Sequence, residues 1–236
     1  YQDKVLSIFW TGKILYTKKD NLKNENVNFF ELETNVNNFL KFDEKDKFIS
    51  IKDAMISDNK LYLSYTKNLK PETNCLNLSI ISADIYNGNE KLELSQFSEF
   101  FTYDECLEAR FNGYQSGGRI VNFKNDHILL TIGDFQNFTP AQNINSLFGK
   151  IISINKKTKD YRLISMGHRN QQGLFYDDNL DLIISTEHGQ KGGDEVNLII
   201  DNKDKVSNYG WPIASYSNYY GYETNNFWTE IYPFLQ

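Results

Sequence analysis

LFYDDNLDLIISTEHG, from Leu174 to Gly189, sets apolar residues before a polar turn and follows the turn with an apolar run that closes on Ser and Thr. The same phrase recurs as MISDNKLYLSYT from Met55, as VNFKNDHILLTIGD from Val121 and, more loosely, as FWTGKILYTKKDN from Phe9. Asp58, Asn125 and Asp178 mark equivalent turns. A unit of roughly 50 residues or more, each built of a few short strands, points to propeller blades rather than to a sandwich.

The rest of the chain agrees with an all-β class. Leu61 to Thr66, Leu76 to Ile85, His127 to Gly133, Lys150 to Ile154 and Leu180 to Thr186 are rich in Ile, Leu and Tyr and are bounded by Asn, Asp, Lys and Gly. These are strand signals. Val36 to Phe42 and Gln96 to Phe101 are read as short helical turns. The 236 residues are 40% hydrophobic and 15% aromatic, enough to bury a full core. A net charge of −6 argues against a nucleic-acid partner, which needs clustered Lys and Arg on one face. No apolar run approaches the roughly 20 residues of a membrane helix. The chain opens on Tyr1, as a processed mature form or a piece of a longer product would.

Cys75 and Cys106 lack the CxxC spacing of a zinc site. Either they pair across 31 residues, as suits an exported protein, or they are two buried thiols. His168 and His188 lie on different loops and are read as structural hydrogen-bonding groups; no serine or cysteine triad motif accompanies them.

Three motifs follow in order: GHRN from Gly167, EHGQKGGDE from Glu187 and NYGWP from Asn208. Together they resemble the soluble quinoprotein aldose and glucose dehydrogenases, sugar-oxidising β-propellers that bind pyrroloquinoline quinone (PQQ) and calcium. The resemblance is strong over Phe111 to Pro212. It implies a six-bladed propeller, of which this chain holds about four blades at the observed period, so that residues 1–236 form one propeller domain that is part of a longer protein.

Roles for individual residues follow from the same resemblance. Arg169 would set a fixed positive charge beside the quinone oxygens, Asn170 would donate to them, and Asp194 would lie by the cofactor. The carbonyls of Gly189 and Gln190 would bind calcium, a hard cation that takes oxygen ligands, with Glu195 and the region of Tyr209 as a further structural or metal contact. The family's catalytic histidine should fall in FNGYQSGGRIVNF, and Asp134 of TIGD answers to the aspartate that orients it. The histidine's place holds Tyr114 or Gln115 instead. A tyrosine with an ordinary pKa near ~10 is a poor base at neutral pH, and glutamine is none. The family's upstream glutamine has no clear counterpart in KFISIKDAM from Lys47.

The resemblance thus implies oxidation of an aldose at its anomeric carbon by a site whose base is replaced, in the periplasm or at the cell surface. The alternatives are a non-catalytic propeller that binds a carbohydrate or a protein through its mouth loops, and a structural component of a larger surface assembly, with a protein partner or a homo-oligomer allowed. The aromatic tail with Trp211, Tyr216, Tyr219, Tyr220, Tyr222 and Trp228 either stacks on sugars or, the preferred reading, fills blade cores.

Overall fold

The computed structural model describes residues 1–40, 49–88, 91–108, 113–190, 192–215 and 218–219. Each copy of the repeated phrase is a β-hairpin, and each hairpin opens a separate sheet. The first sheet holds β1 (Lys4–Ile8), β2 (Ile14–Lys18) and β3 (Phe30–Leu32). The second holds β4 (Ile51–Ser57), β5 (Lys60–Lys70), β6 (Cys75–Asn87) and β7 (Leu92–Leu94), with β8 (Ser98–Phe101) and β9 (Leu107–Glu108) also on β6. The third runs β10 (Gly117–Phe123), β11 (His127–Ile132), β12 (Lys150–Asn155) and β13 (Tyr161–Met166). The fourth is β14 (Gln171–Asp177), β15 (Leu182–Glu187) and β16 (Glu195–Ile200), after which β17 (Ser207–Asn208) returns to pair in parallel with β13. Beyond it, the described residues form the short pair β18 (Ala214–Ser215) and β19 (Asn218–Tyr219).

Turn chemistry sets the hairpins. Ser57 pairs with Lys60 across Asp58 and Asn59, both at positive φ (52° and 57°), the geometry that matches strand twist in a two-residue hairpin. The longer turns place Lys124 and Asp181 at positive φ. Asp181 therefore ends the fourth turn, and the strand starts at Leu182, two residues later than the sequence pattern predicts.

Three apolar clusters explain the stacking, because side chains alternate across a strand. Leu61, Leu63 and Tyr65 of β5 face Ile14 and Tyr16 of the first sheet. Tyr62, on the other face, joins Leu76 and Leu78 against Ile120, Ile128 and Leu130 of the third sheet. Leu129 and Ile151 turn the opposite way, onto Ile183 and Ile199 of the fourth. The second and third sheets are thus covered on both faces, and β11 is buried along nearly its whole length. Among the described residues the fourth sheet is covered on one face only: Phe175, Val196, Leu198 and Ile200 are 57–71% exposed on the other.

Gln96 to Phe101 is not a helical turn. Ser98–Phe101 is a strand on β6, with Phe100 and Phe101 buried, because the ladder and the core outweigh its weak local preference. A single helical turn, α1 (Asn37–Leu40), does form within the other predicted segment; residues 41 and 42 lie outside the described ones. Cys75 and Cys106 are joined in a disulfide, which decides the alternative left open by the sequence.

Candidate functional site

The signature motifs meet at one end of the third and fourth sheets, where backbone hydrogen bonds tie them together. Asp134 N donates to Arg169 O at 2.9 Å, His188 N to Asn170 O at 3.0 Å, Phe135 N to Gln115 O at 3.1 Å and Trp211 N to Gly167 O at 2.9 Å. Two glycines permit this closeness. A Cβ on Gly133 would lie 1.9 Å from Gln115 O, and one on Gly189 would lie 1.7 Å from Gly193 O. Gln115, Phe135 and Gln136 all sit in the left-handed region, at φ 58°, 52° and 62°. Such backbone is costly for non-glycine residues and clusters at functional sites.

Asp134 is the centre of the arrangement and is buried. Its Oδ2 accepts from Trp211 Nε1 at 2.8 Å and its Oδ1 from Gln136 N at 2.8 Å. The Gln115 amide, oriented by its neighbours, donates to the same Oδ1 at 2.9 Å and accepts from Arg169 Nη2 at 2.8 Å. Arg169 also donates from Nη1 to the carbonyls of His188 (2.8 Å) and Gly189 (3.1 Å), with its guanidinium 5.4 Å from the Trp211 ring. Three of the five guanidinium N–H groups are thereby used, and the other two bond to nothing among the described residues.

Burial pushes the Asp134 carboxyl up to about 7, against the pull of Gln136 N, Trp211 and Arg169. A folded pKa above the unfolded value contributes stability that is complete below about pH 4 and is lost as pH rises through about 7. We expect thermal stability to fall over that window with a limiting slope of about 1.4 kcal/mol per pH unit from this group. Asp134→Asn should remove that component from stability measured between pH 4 and 8; an unchanged profile would contradict the assignment.

The remaining predicted residues divide. Asn170 Oδ1 accepts from Gly117 N (3.2 Å) and Gln172 Nε2 (2.8 Å), leaving its amide nitrogen without a bond among the described residues. Asp194 Oδ1 caps Gly189 N at 2.9 Å, and its Oδ2 lies 3.7 Å from His188 Nδ1. Tyr114 is 48% exposed beside the site, whereas Gln115 is built into it. Gln190 O accepts from Gly193 N at 3.1 Å, and Glu195 is held by Asn197 at 3.3 Å. Tyr209 stacks on His168 at 4.9 Å and donates to Leu198 O. Phe111, Asn112, Lys47 and Phe48 lie outside the described residues, as do Tyr216, Tyr220, Tyr222, Trp228 and the Tyr219 side chain.

His168 is structural, as its sequence context suggests. Fully buried, it bridges Ser165 Oγ (2.8 Å) and Glu187 Oε2 (2.7 Å), while Glu187 Oε1 accepts from Arg169 N at 3.1 Å. Sequence reasoning gave Glu187 no role. It also gave Trp211 only stacking or packing roles, whereas Trp211 is a donor to Asp134. The position of Glu187 beside His188 in EHG was the one available signal.

A family model described as Glucose / Sorbosone dehydrogenase matches residues 49–230. The chain belongs to that family. Among its relatives, aldose sugar dehydrogenase YliI of Escherichia coli is 28% identical over 145 residues, 56% of this chain and 38% of that protein. Quinoprotein glucose dehydrogenase B of Acinetobacter calcoaceticus is 42% identical over 66 residues, 28% of this chain and 13% of that protein. A crystal structure of glucose dehydrogenase superposes with a TM-score of 0.68 at 18% identity, covering 93% of this chain and 63% of that one. The PQQ-bound aldose sugar dehydrogenase of Streptomyces coelicolor gives 0.61 at 22%, covering 89% and 62%. These likenesses show the β-propeller fold, and this family member spans well under half the length of the two named relatives.

The residues present fit PQQ, an anionic planar quinone: the unspent donors of the site are the two Arg169 N–H groups and the Asn170 amide. They do not fit calcium. The Gly189 carbonyl already accepts from the Arg169 guanidinium, whose permanent positive charge opposes a second cation on the same oxygen.

Proposed function

We propose that this family member binds PQQ and an aldose at the Arg169–Asn170 end of its blades but removes the sugar proton poorly. Gln115 occupies the bond to Asp134 that the family resemblance assigns to a histidine base, and this single observation carries the reading. Bound PQQ would supply a hydride acceptor for the anomeric carbon. Arg169 supplies a fixed positive charge for the quinone oxygens, of the kind that gains strength as negative charge develops on the ring. Asn170 orients by its free amide N–H. Asp134, saturated by Trp211, Gln136 and Gln115, holds the site together and has no opening toward a sugar hydroxyl. A quinone titration with absorbance detection, followed by addition of aldoses, tests both halves: PQQ should bind, and its bleaching by sugar should be slow.

The same proposal includes the architecture around the site. The face of the fourth sheet that no described residue covers fits the side of a blade, and a further blade of a longer propeller would cover Phe175, Val196, Leu198 and Ile200. We expect residues 1–236 expressed alone to self-associate through this face, and Leu198→Lys with Ile200→Lys to return a monomer by light scattering. A wild-type monomer with no tendency to associate would count against it. Export to the periplasm or cell surface is supported by the disulfide, which persists in oxidising compartments.

A further inference from the structure

The disagreement over calcium has a structural cause in the Arg169 side chain. Its Nη1 donates to the carbonyls of His188 and Gly189, and its Nη2 donates to the Gln115 amide oxygen. Its backbone is fixed at both ends, by Glu187 Oε1 on the nitrogen and by Asp134 N on the oxygen. Gln115 completes a closed chain, since its amide donates to Asp134 while accepting from Arg169. The amide carries both functions in one planar group.

Calcium takes six to eight oxygens at about 2.3–2.6 Å. At the Gly189 carbonyl it would share an oxygen with a permanent positive charge that three hydrogen bonds hold in place. The neighbouring carbonyl, Gln190 O, closes the loop on Gly193 N. Carboxylates are needed to offset two cations side by side, and Asp194 already caps Gly189 N with one oxygen and approaches His188 with the other.

We infer that in this protein the Arg169 guanidinium stands in for the divalent cation, so that the EHG loop is held shut, and ligands are bound, without calcium. The ligand half of this statement rests on the proposed PQQ reading; the metal half does not. The test is a calcium titration of the full-length protein without quinone, by calorimetry and by thermal unfolding in calcium against chelator. Wild type should give no saturable heat and the same Tm in both buffers. Arg169→Lys, which keeps the charge, should behave likewise. Arg169→Gln frees the carbonyls and should gain a calcium-dependent rise in Tm. Saturable calcium binding by wild type overturns the inference, and so does an Arg169→Gln protein as insensitive as wild type. A PQQ titration in the same two buffers should give equal affinities. Failure to bind PQQ in either buffer defeats the proposed function alone, because the calcium readouts still decide the inference.

Discussion

Replacing Gln115 by histidine should raise sugar-driven quinone reduction in the PQQ-loaded protein by about 10²–10⁴-fold, the span a positioned general base commonly contributes. The substitution suits the position. Gln115 has φ 58°, and histidine is among the residues enriched in that region. Asp134 is already in place 2.9 Å from the Gln115 amide nitrogen, so an imidazole N–H can take over that bond and turn its other nitrogen outward as the base. Buried Asp134 then fixes the tautomer, the role of the acid in any base–orienter pair. Single-turnover bleaching of bound quinone measures the gain, with PQQ affinity as the control for folding. A Gln115→His protein that binds PQQ and gains nothing would mean that the base is lost for another reason, or stands elsewhere.

The second large effect is on stability. Converting Cys75 and Cys106 to serine should lower the unfolding free energy by about 3–4 kcal/mol, the chain-entropy value for a closed loop of this length. The bond ties the start of β6 to the segment that carries β9 back onto it, and thereby holds the edge of the second sheet whose Leu78 and Ile80 face the third. Urea unfolding of oxidised wild type against the double variant measures the effect as a lower unfolding free energy and midpoint, with a steeper slope because the denatured chain without the cross-link is less compact. No shift would show that this edge is held by packing alone.

The repeated turn-then-strand phrase marked the four hairpins, because two-residue periodicity and Asp/Asn turn chemistry are local properties. Ser98–Phe101 departs from the helical turn its sequence suggests because a four-residue strand with two aromatics carries little local signal and is fixed by its ladder on β6. At the site, Asp134 and Arg169 do come together, and Gln115, one of the two candidates for the histidine's place, lies between them. What no motif could show is where a side chain's hydrogen bonds go. The Trp211 donation to Asp134, the Glu187 clamp and the guanidinium on the Gly189 carbonyl all join residues distant in sequence. Their pairing depends on how the third and fourth sheets stack.

One titration of the full-length protein with PQQ, followed by aldose addition and the rate of bleaching, separates quinone binding from proton removal. A site that keeps its quinone donors and has lost its base should bind PQQ and leave it oxidised through many minutes of excess sugar. Rapid bleaching would contradict the account, because it would require a proton acceptor that the Gln115–Asp134–Arg169 network does not provide.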